Sequence, residues 1–300
     1  MLLQQLINGL TLGAVYALIA LGYTMVYGIL ELINFAHGEI YMLGAYLGII
    51  FLGFFTAVGL TASNLPLSLL LTVALTIIFS AAYGFAMEKT AYKPLRSAPR
   101  LSPLISAIGV SIFLQNYVML TQGATDKVFP QKFGDAGFHF LNVNITYLQA
   151  VIIAVSALLM LMLHLFIQKT RMGKAMRATA QDRTMASLVG INVDIIISAT
   201  FVIGAGLAAV AGIMVAAYYG LVNYYIGYTA GIKAFTAAVL GGIGSIPGAM
   251  IGGIALGLIE SAGAAYISSE YKDAYAFLIL IVILLIKPSG MLGKTTEEKV

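Results

Sequence analysis

The sequence predicts an all-α, polytopic membrane protein of about eight transmembrane helices, with one segment near 230–264 that is broken by glycine and proline or re-entrant. Three observations carry this expectation. Hydrophobic residues make up 60% of the chain and charged residues only 9%, against roughly 25% charged in soluble domains, and mean hydropathy is +0.96. Apolar stretches recur along nearly all 300 residues, which leaves no room for a separate soluble domain, so 1–300 reads as a single membrane domain. Most of the 16 lysines and arginines fall in three short stretches between apolar runs, the distribution that sets topology.

A hydrocarbon core of roughly 30 Å takes about 20 helical residues at about 1.5 Å each. On that measure, spans are expected near 4–29, 38–60, 66–87, 102–121, 146–168 and 195–219, with a further one near 270–286. No basic residue precedes the first run, which is longer than a signal peptide's apolar region, so it is expected to stay in the mature protein. Between the sixth span and the last, GGIGSIPG at 241–248 interrupts an apolar region. Its glycines and Pro247 point to two shorter helices or a re-entrant hairpin, with one long tilted helix as the alternative.

The basic stretches are Lys89, Lys93, Arg96 and Arg100; then Lys169, Arg171, Lys174, Arg177 and Arg183; then Lys287, Lys294 and Lys299. Placing them in the cytoplasm puts the N-terminus outside, the C-terminus inside, and 230–264 entering and leaving from outside. The loop at 122–145 is then external. Its Asp126, Lys127, Lys132 and Asp135 cancel in charge.

Composition also excludes chemistry. With no cysteine and three scattered histidines (His37, His139, His164), disulfides, thiolate sites and metal centres are not expected. No cofactor is expected either, and nothing points to nucleic acid. Gly293, Lys294 and Thr295 resemble the end of a phosphate loop, but Pro288 stands where the leading glycine belongs. Ile243 breaks a serine-elbow pattern at Ser245. A membrane enzyme is therefore disfavoured, and energy for transport must come from an ion gradient or another subunit.

Polar residues in or beside the spans are few. Asn34, His37 and Glu39 stand in ELINFAHGE between the first two helices, which reads equally as a cytoplasmic turn or as a structured, partly buried re-entry. His164, Lys233 and Glu260 read as interface positions with snorkelling side chains. Asn8 and Asn116 read as interhelical packing. Gly9/Gly13, Gly44/Gly48, Gly248/Gly252 and Gly253/Gly257 have the small-xxx-small spacing that lets helices approach closely in lipid. Gly241, Gly242, Gly244, Pro247 and Gly248 add a candidate transport-path break to Asn34, His37 and Glu39.

The hydrophilic stretch 169–194 reads as a short helix over 174–188, preceded by Gly173 and capped by Gly190, with an apolar stripe of Met176, Ala180 and Leu188. Such a face points to a docked partner or to the membrane surface.

Three blocks carry a family resemblance: NGLTLGAVYALIALGYTMVYGILELINFAHGEIYMLGAY at 8–46, RMGKAMRATAQDRTMASLVGINV at 171–193, and AVLGGIGSIPGAMIGG at 238–253. The chain resembles the LivH-type permeases of branched-chain amino acid ABC importers of the bacterial cytoplasmic membrane. The resemblance implies ATPase-coupling roles for Gly173, Lys174, Arg177, Ala178, Asp182, Ala186 and Gly190. Arg177, Ala178 and Thr179 stand where the wider ABC importer pattern has Glu-Ala-Ala. The implied partners are a homologous second permease, two cytoplasmic ATPases and an extracytoplasmic binding protein, with leucine, isoleucine or valine carried inward. A stand-alone secondary carrier or channel is the alternative, and it would need coupling acids at mid-membrane, whereas most acids here lie at boundaries.

Overall fold

A backbone crossing lipid meets no water, so each crossing segment must close its own N–H to C=O ladder, and the apolar stretches fold as helices. The computed structural model describes residues 2–99, 101–131, 133–134, 136–140 and 143–293. Arg100, Lys132, Asp135, Lys294, Thr295 and Lys299 lie outside the described residues. In chain order the helices are α1 (Leu2–Leu30), α2 (His37–Ala57), α3 (Leu60–Ser63), α4 (Leu65–Met87), α5 (Leu101–Gln122) and α6 (Tyr147–Lys169). Then come α7 (Arg171–Gln181), α8 (Arg183–Leu188), α9 (Val193–Tyr219), α10 (Ile226–Gly241), α11 (Ile246–Tyr266) and α12 (Lys272–Ile286). A π-helical turn at Glu88–Tyr92 and a 3-10 turn at Lys93–Leu95 extend α4.

Seven of these helices are long and apolar enough to cross a membrane: α1, α2, α4 with its extension, α5, α6, α9 and α11. The expected span near 270–286 is α12, with only 15 residues, and α10 has 16. The region 230–264 is not one long helix, because α10 and α11 turn back on each other at 242–245. The chain also departs from pure helix. Among the described residues four short strands form, β1 (Lys127–Val128), β2 (Gly137–Phe140), β3 (Val143–Thr146) and β4 (Leu221–Val222). β1 pairs antiparallel with β4, and β2 with β3, Gly137 opposite Thr146. Both pairs lie in the loops at one end of the bundle, where backbone groups outside a helix still need partners.

Side chains at the helix starts accept otherwise orphaned N–H groups. Asn64 caps α4 through Leu67 N, Asn192 caps α9 through Ile195 N, and Ser245 caps α11 through Gly248 N. Thr146 and Gln149 form a reciprocal capping box at α6. Pro66 and Pro247 sit in first turns, where a missing N–H costs nothing.

The core is α1, whose residues Ala17–Leu21 are fully enclosed. Against it runs α11, antiparallel, with Gly9 and Gly13 facing Gly257, Leu258, Gly253 and Ile254. A methyl on Gly13 would sit 2.7 Å from Ile254 Cα, and one on Gly9 would sit 2.8 Å from Leu258 Cα. On the α2–α9 seam, a methyl on Gly44 would sit 2.5 Å from Ala209 Cα. The outer helices α4, α5, α6 and α12 instead present large apolar residues such as Leu70, Ile78, Leu120, Leu158 and Leu285 outward, the face that suits lipid.

These contacts make glycine obligatory at the seam, whereas Gly109 on α5 faces open space. Gly13→Leu or Gly257→Leu should cost more than the roughly 1–3 kcal/mol of ordinary overpacking, because backbone rather than a movable side chain is in the way. Gly109→Leu, with nothing within 4 Å of its Cβ position, should be neutral. Yield and thermal stability of the purified protein in detergent read the difference.

Candidate functional site

At the end of the bundle opposite the strands, α6 stops at Lys169 and α7 starts two residues later. Thr170 is extended and caps α7 by accepting from Gly173 N at 3.0 Å. Gly173 therefore lies within the first turn of α7, not before it, and its missing side chain lets that turn rest on the backbone of Phe166 and Ile167. The single helix expected over 174–188 is in fact two. Asp182 breaks it, adopting an extended backbone and capping α8 through Met185 N at 2.9 Å. Gly190 ends α8 at φ +87°. There Gly190 N donates to Ser187 O and Ile191 N to Ala186 O, the paired bonds of a Schellman motif.

The apolar stripe is also divided. Met176 is buried against the bundle, and so is Ala186, whereas Leu188 is 74% exposed. Its exposed companions are Met185 at 62% and Val189 at 76%, two residues the sequence analysis did not single out. On α7, Lys174 is exposed and Ala178 is half-buried.

Two arginines tie this loop to the membrane helices. Arg177 donates to Ile167 O in the last turn of α6, and Arg183 Nε donates to Ile29 O at the end of α1, 2.9 Å away. Both carbonyls belong to helix C-termini, where intrahelical partners run out and the helix dipole favours a cation. A cavity of about 90 Å³ between loop and bundle is lined by Thr24, Gly28, Ile167, Met176, Gly244 and Ile246. The turn at 241–248 thus meets α1 and α7 at one joint. Within it, Gly241 packs on the backbone of Gly248, and Gly242, at φ +105°, packs on Gly293. Met291 N and Leu292 N donate to Leu240 O and Gly241 O at 2.9 and 2.8 Å, so the segment after α12 satisfies the open end of α10.

Inside the bundle, the chain after α1 turns back inward before helix resumes. His37 starts α2 against Gly22 of α1 and Gly204 of α9, and Gly22 lies eight residues, roughly 12 Å, from the end of α1. ELINFAHGE is therefore a partly buried re-entry, with Glu31 exposed and Asn34 and residues 36–39 buried. Asn34 accepts from Tyr92 OH at 2.6 Å and from Ala36 N at 3.1 Å. Gly38 packs on Gly227 and Gly231, which brings the start of α10 to the start of α2. Glu39 is fully buried and accepts from Ser111 Oγ at 2.9 Å and Gln115 Nε2 at 2.7 Å, both to Oε1. Asn34, His37 and Glu39 thus share this junction, while the 241–248 glycines lie at the loop-bearing end.

Two charge clusters escaped the sequence analysis. Arg96 bridges Glu88 and Asp194, the latter at 2.5 Å, with Lys93 on Asp194 at 2.7 Å and Ser198 Oγ on Glu88 at 2.8 Å. This laces the π-helical end of α4 to the start of α9. Lys233 and Glu260 are buried rather than snorkelling, paired at 2.8 Å, with Lys272 on Glu260 at 3.3 Å, Asp273 on Lys233 at 2.6 Å and Tyr16 OH on Glu260 at 3.2 Å. Asn8 does join helices, accepting from Gln149 Nε2 at 3.0 Å, whereas Asn116 bonds within its own helix to Ile112 O. Among the described residues, no three of His, Cys, Asp or Glu cluster to hold a metal.

Breaking the buried pair should be costly. Glu260→Ala removes the acid shared by Lys233 and Lys272 and leaves Lys233 only the exposed Asp273, so it should lose about 1–3 kcal/mol, while Lys233→Met with Glu260→Met should recover part of it. Thermal denaturation of the purified variants checks both.

The chain matches the model of the family described as branched-chain amino acid transport system / permease component, over residues 5–284. It is 53% identical to the high-affinity branched-chain amino acid transport system permease protein LivH of Salmonella typhimurium, over 99% of this chain and 97% of that one. The same identity and coverage hold for LivH of Escherichia coli strain K12. BraD of Pseudomonas aeruginosa, also named a permease protein of high-affinity branched-chain amino acid transport, is 52% identical over 99% of this chain and 98% of its own length. No solved structure matches. With the family model covering nearly the whole chain and relatives this similar over their full length, the protein belongs to the family of branched-chain amino acid transport system permease components.

Proposed function

We propose that the chain is one of two related permease subunits of an ATP-driven importer and passes leucine, isoleucine or valine inward across a bacterial cytoplasmic membrane. The observation that carries this reading is the 53% identity to LivH over 99% of the chain. A permease of this family is a translocation subunit and performs no catalysis itself, so the stand-alone carrier gives way to a complex. Its partners are a homologous second permease, two cytoplasmic ATPases and an extracytoplasmic binding protein. The Lys and Arg distribution orients it with the N-terminus outside and the loop of α7 and α8 in the cytoplasm.

In this reading Met185, Leu188 and Val189 form the apolar contact with an ATPase, and Lys174 flanks it with charge. Gly173, Arg177, Ala178, Asp182, Ala186 and Gly190 shape the loop and fasten it. Motion imposed on α8 reaches α1 through Arg183 and α6 through Arg177. Gly241, Gly242, Gly244, Pro247 and Gly248 keep α10 and α11 at the same joint. Asn34, His37 and Glu39 stand where the transport path passes mid-membrane.

The cysteine-free sequence makes the test direct. A single Leu188→Cys should react with an impermeant thiol reagent only from the cytoplasmic side and should be shielded once the ATPases are bound. Leu188→Asp should insert normally yet reduce copurification of the ATPases about tenfold or more, a buried charge costing at least 1–3 kcal/mol. External labelling, or full assembly of the Asp variant, contradicts the assignment.

A further inference from the structure

Glu39 occupies an unusual position for a carboxylate within a membrane domain. It is fully buried, yet among the described residues it forms no ion pair, and its Oε2 has no hydrogen-bond partner. Its other oxygen is held by Ser111 and Gln115, one helical turn apart on α5. Those two donors fix the carboxylate's direction and leave Oε2 turned toward α10. There it lies against Gly227, so closely that a methyl at that position would overlap it. Gly227 belongs to the first turn of α10, and that helix has no side-chain cap. The first N–H groups of a helix lack intrahelical acceptors and carry about half a positive charge between them. Because Gly227 has no side chain, nothing on it separates those groups from Glu39.

A carboxylate oxygen without a partner, beside a helix start where Ile226 N alone has a backbone acceptor, Asn223 O, is a matched pair for a zwitterion. We propose that Glu39 and the first turn of α10 form a transient binding point for an α-amino acid, with Glu39 Oε2 taking the ammonium and the α10 N–H groups taking the carboxylate. The assignment rests on the reading that this chain passes amino acids, and deepens it by naming the groups that recognise the backbone of the substrate. The two charges of an amino acid are one carbon apart, so a single point with both polarities side by side accommodates them. A simple anion would be repelled by Glu39 and a simple cation by the helix start. The branched side chain is left to the apolar surroundings, which fits a carrier of several aliphatic amino acids. Breaks in helices at mid-membrane are where transporters of other folds place such sites. Here the break is the meeting of two helix starts, α2 and α10, across Gly38, Gly227 and Gly231.

The test uses the complete transporter, with both permeases, ATPases and binding protein, in liposomes. Leucine uptake by the parent comes first, since its absence would defeat the substrate reading itself. Given uptake, Glu39→Gln should lower it about tenfold or more, the worth of one charge-assisted hydrogen bond. ATPase stimulation by loaded binding protein should persist. Uptake by Glu39→Gln within twofold of the parent overturns the proposal. A second measurement needs no variant. Carbodiimide modification of Glu39 in the parent, read by mass spectrometry, should fall in excess leucine and not in excess 4-methylpentanoate, which has the carboxylate but no ammonium. Equal modification under both overturns the proposal and leaves Glu39 as a structural cap on α10.

Discussion

Bringing two helices together in lipid gains nothing from hiding apolar surface, so α1 and α11 are held by van der Waals contact at a distance only glycine permits. Gly9 and Gly13 on one side and Gly253 and Gly257 on the other set that distance. Everything of functional interest is positioned from the resulting spine. Its lower end, at Gly28 and Gly244, meets the cavity that separates it from α7. Its middle, at Gly22 and Tyr23, receives His37 and the start of α2. Toward the opposite end, Tyr16 reaches the Lys233–Glu260 pair. A side chain inserted anywhere along the seam would displace all three.

Most interior polar groups follow a second rule, satisfaction by something other than water. Helix ends obey it through Arg177, Arg183 and the backbone of Met291 and Leu292. Glu88 and Glu260 obey it through cations, although Glu260, like Glu39, is held on one oxygen only. Glu39 differs in that its partners, Ser111 and Gln115, are neutral.

The spans and the basic loops were legible because lipid imposes length, and topology imposes charge, on local sequence. Pairings that join distant segments were not. Lys233 and Glu260 read as two separate interface residues because the glycines and Pro247 between them record a turn but not which residues of its two arms meet. Glu88 and Asp194 likewise carry no local record of each other. Ser111 and Gln115 did carry a local signal, two polar residues at helical spacing on an apolar span, but not the acid they face. In the loop, Met176 and Leu188 looked alike because helical spacing cannot register the break at Asp182, and that break sends one inward and the other outward. Asp182 followed three residues later by Met185 is a helix start that capping preferences alone allow. For ELINFAHGE, polar content left turn and re-entry equal, and only the glycines at 22 and 204, far away in sequence, admit the buried form.

If α1 and α11 form a rigid spine that carries loop motion inward, their lower ends should not separate during transport. At Gly28 of α1 and Gly244, in the turn just before α11, each glycine's Cβ position lies within 4.0 Å of the other's Cα, which keeps the two Cα atoms under the roughly 7 Å that a disulfide can bridge. Cysteines at both positions, with each single cysteine as control, should crosslink in the assembled transporter. The account predicts that the crosslinked transporter takes up leucine as well as its reduced form. Uptake that stops on oxidation and returns on reduction would show that this joint opens during the cycle, and would contradict it.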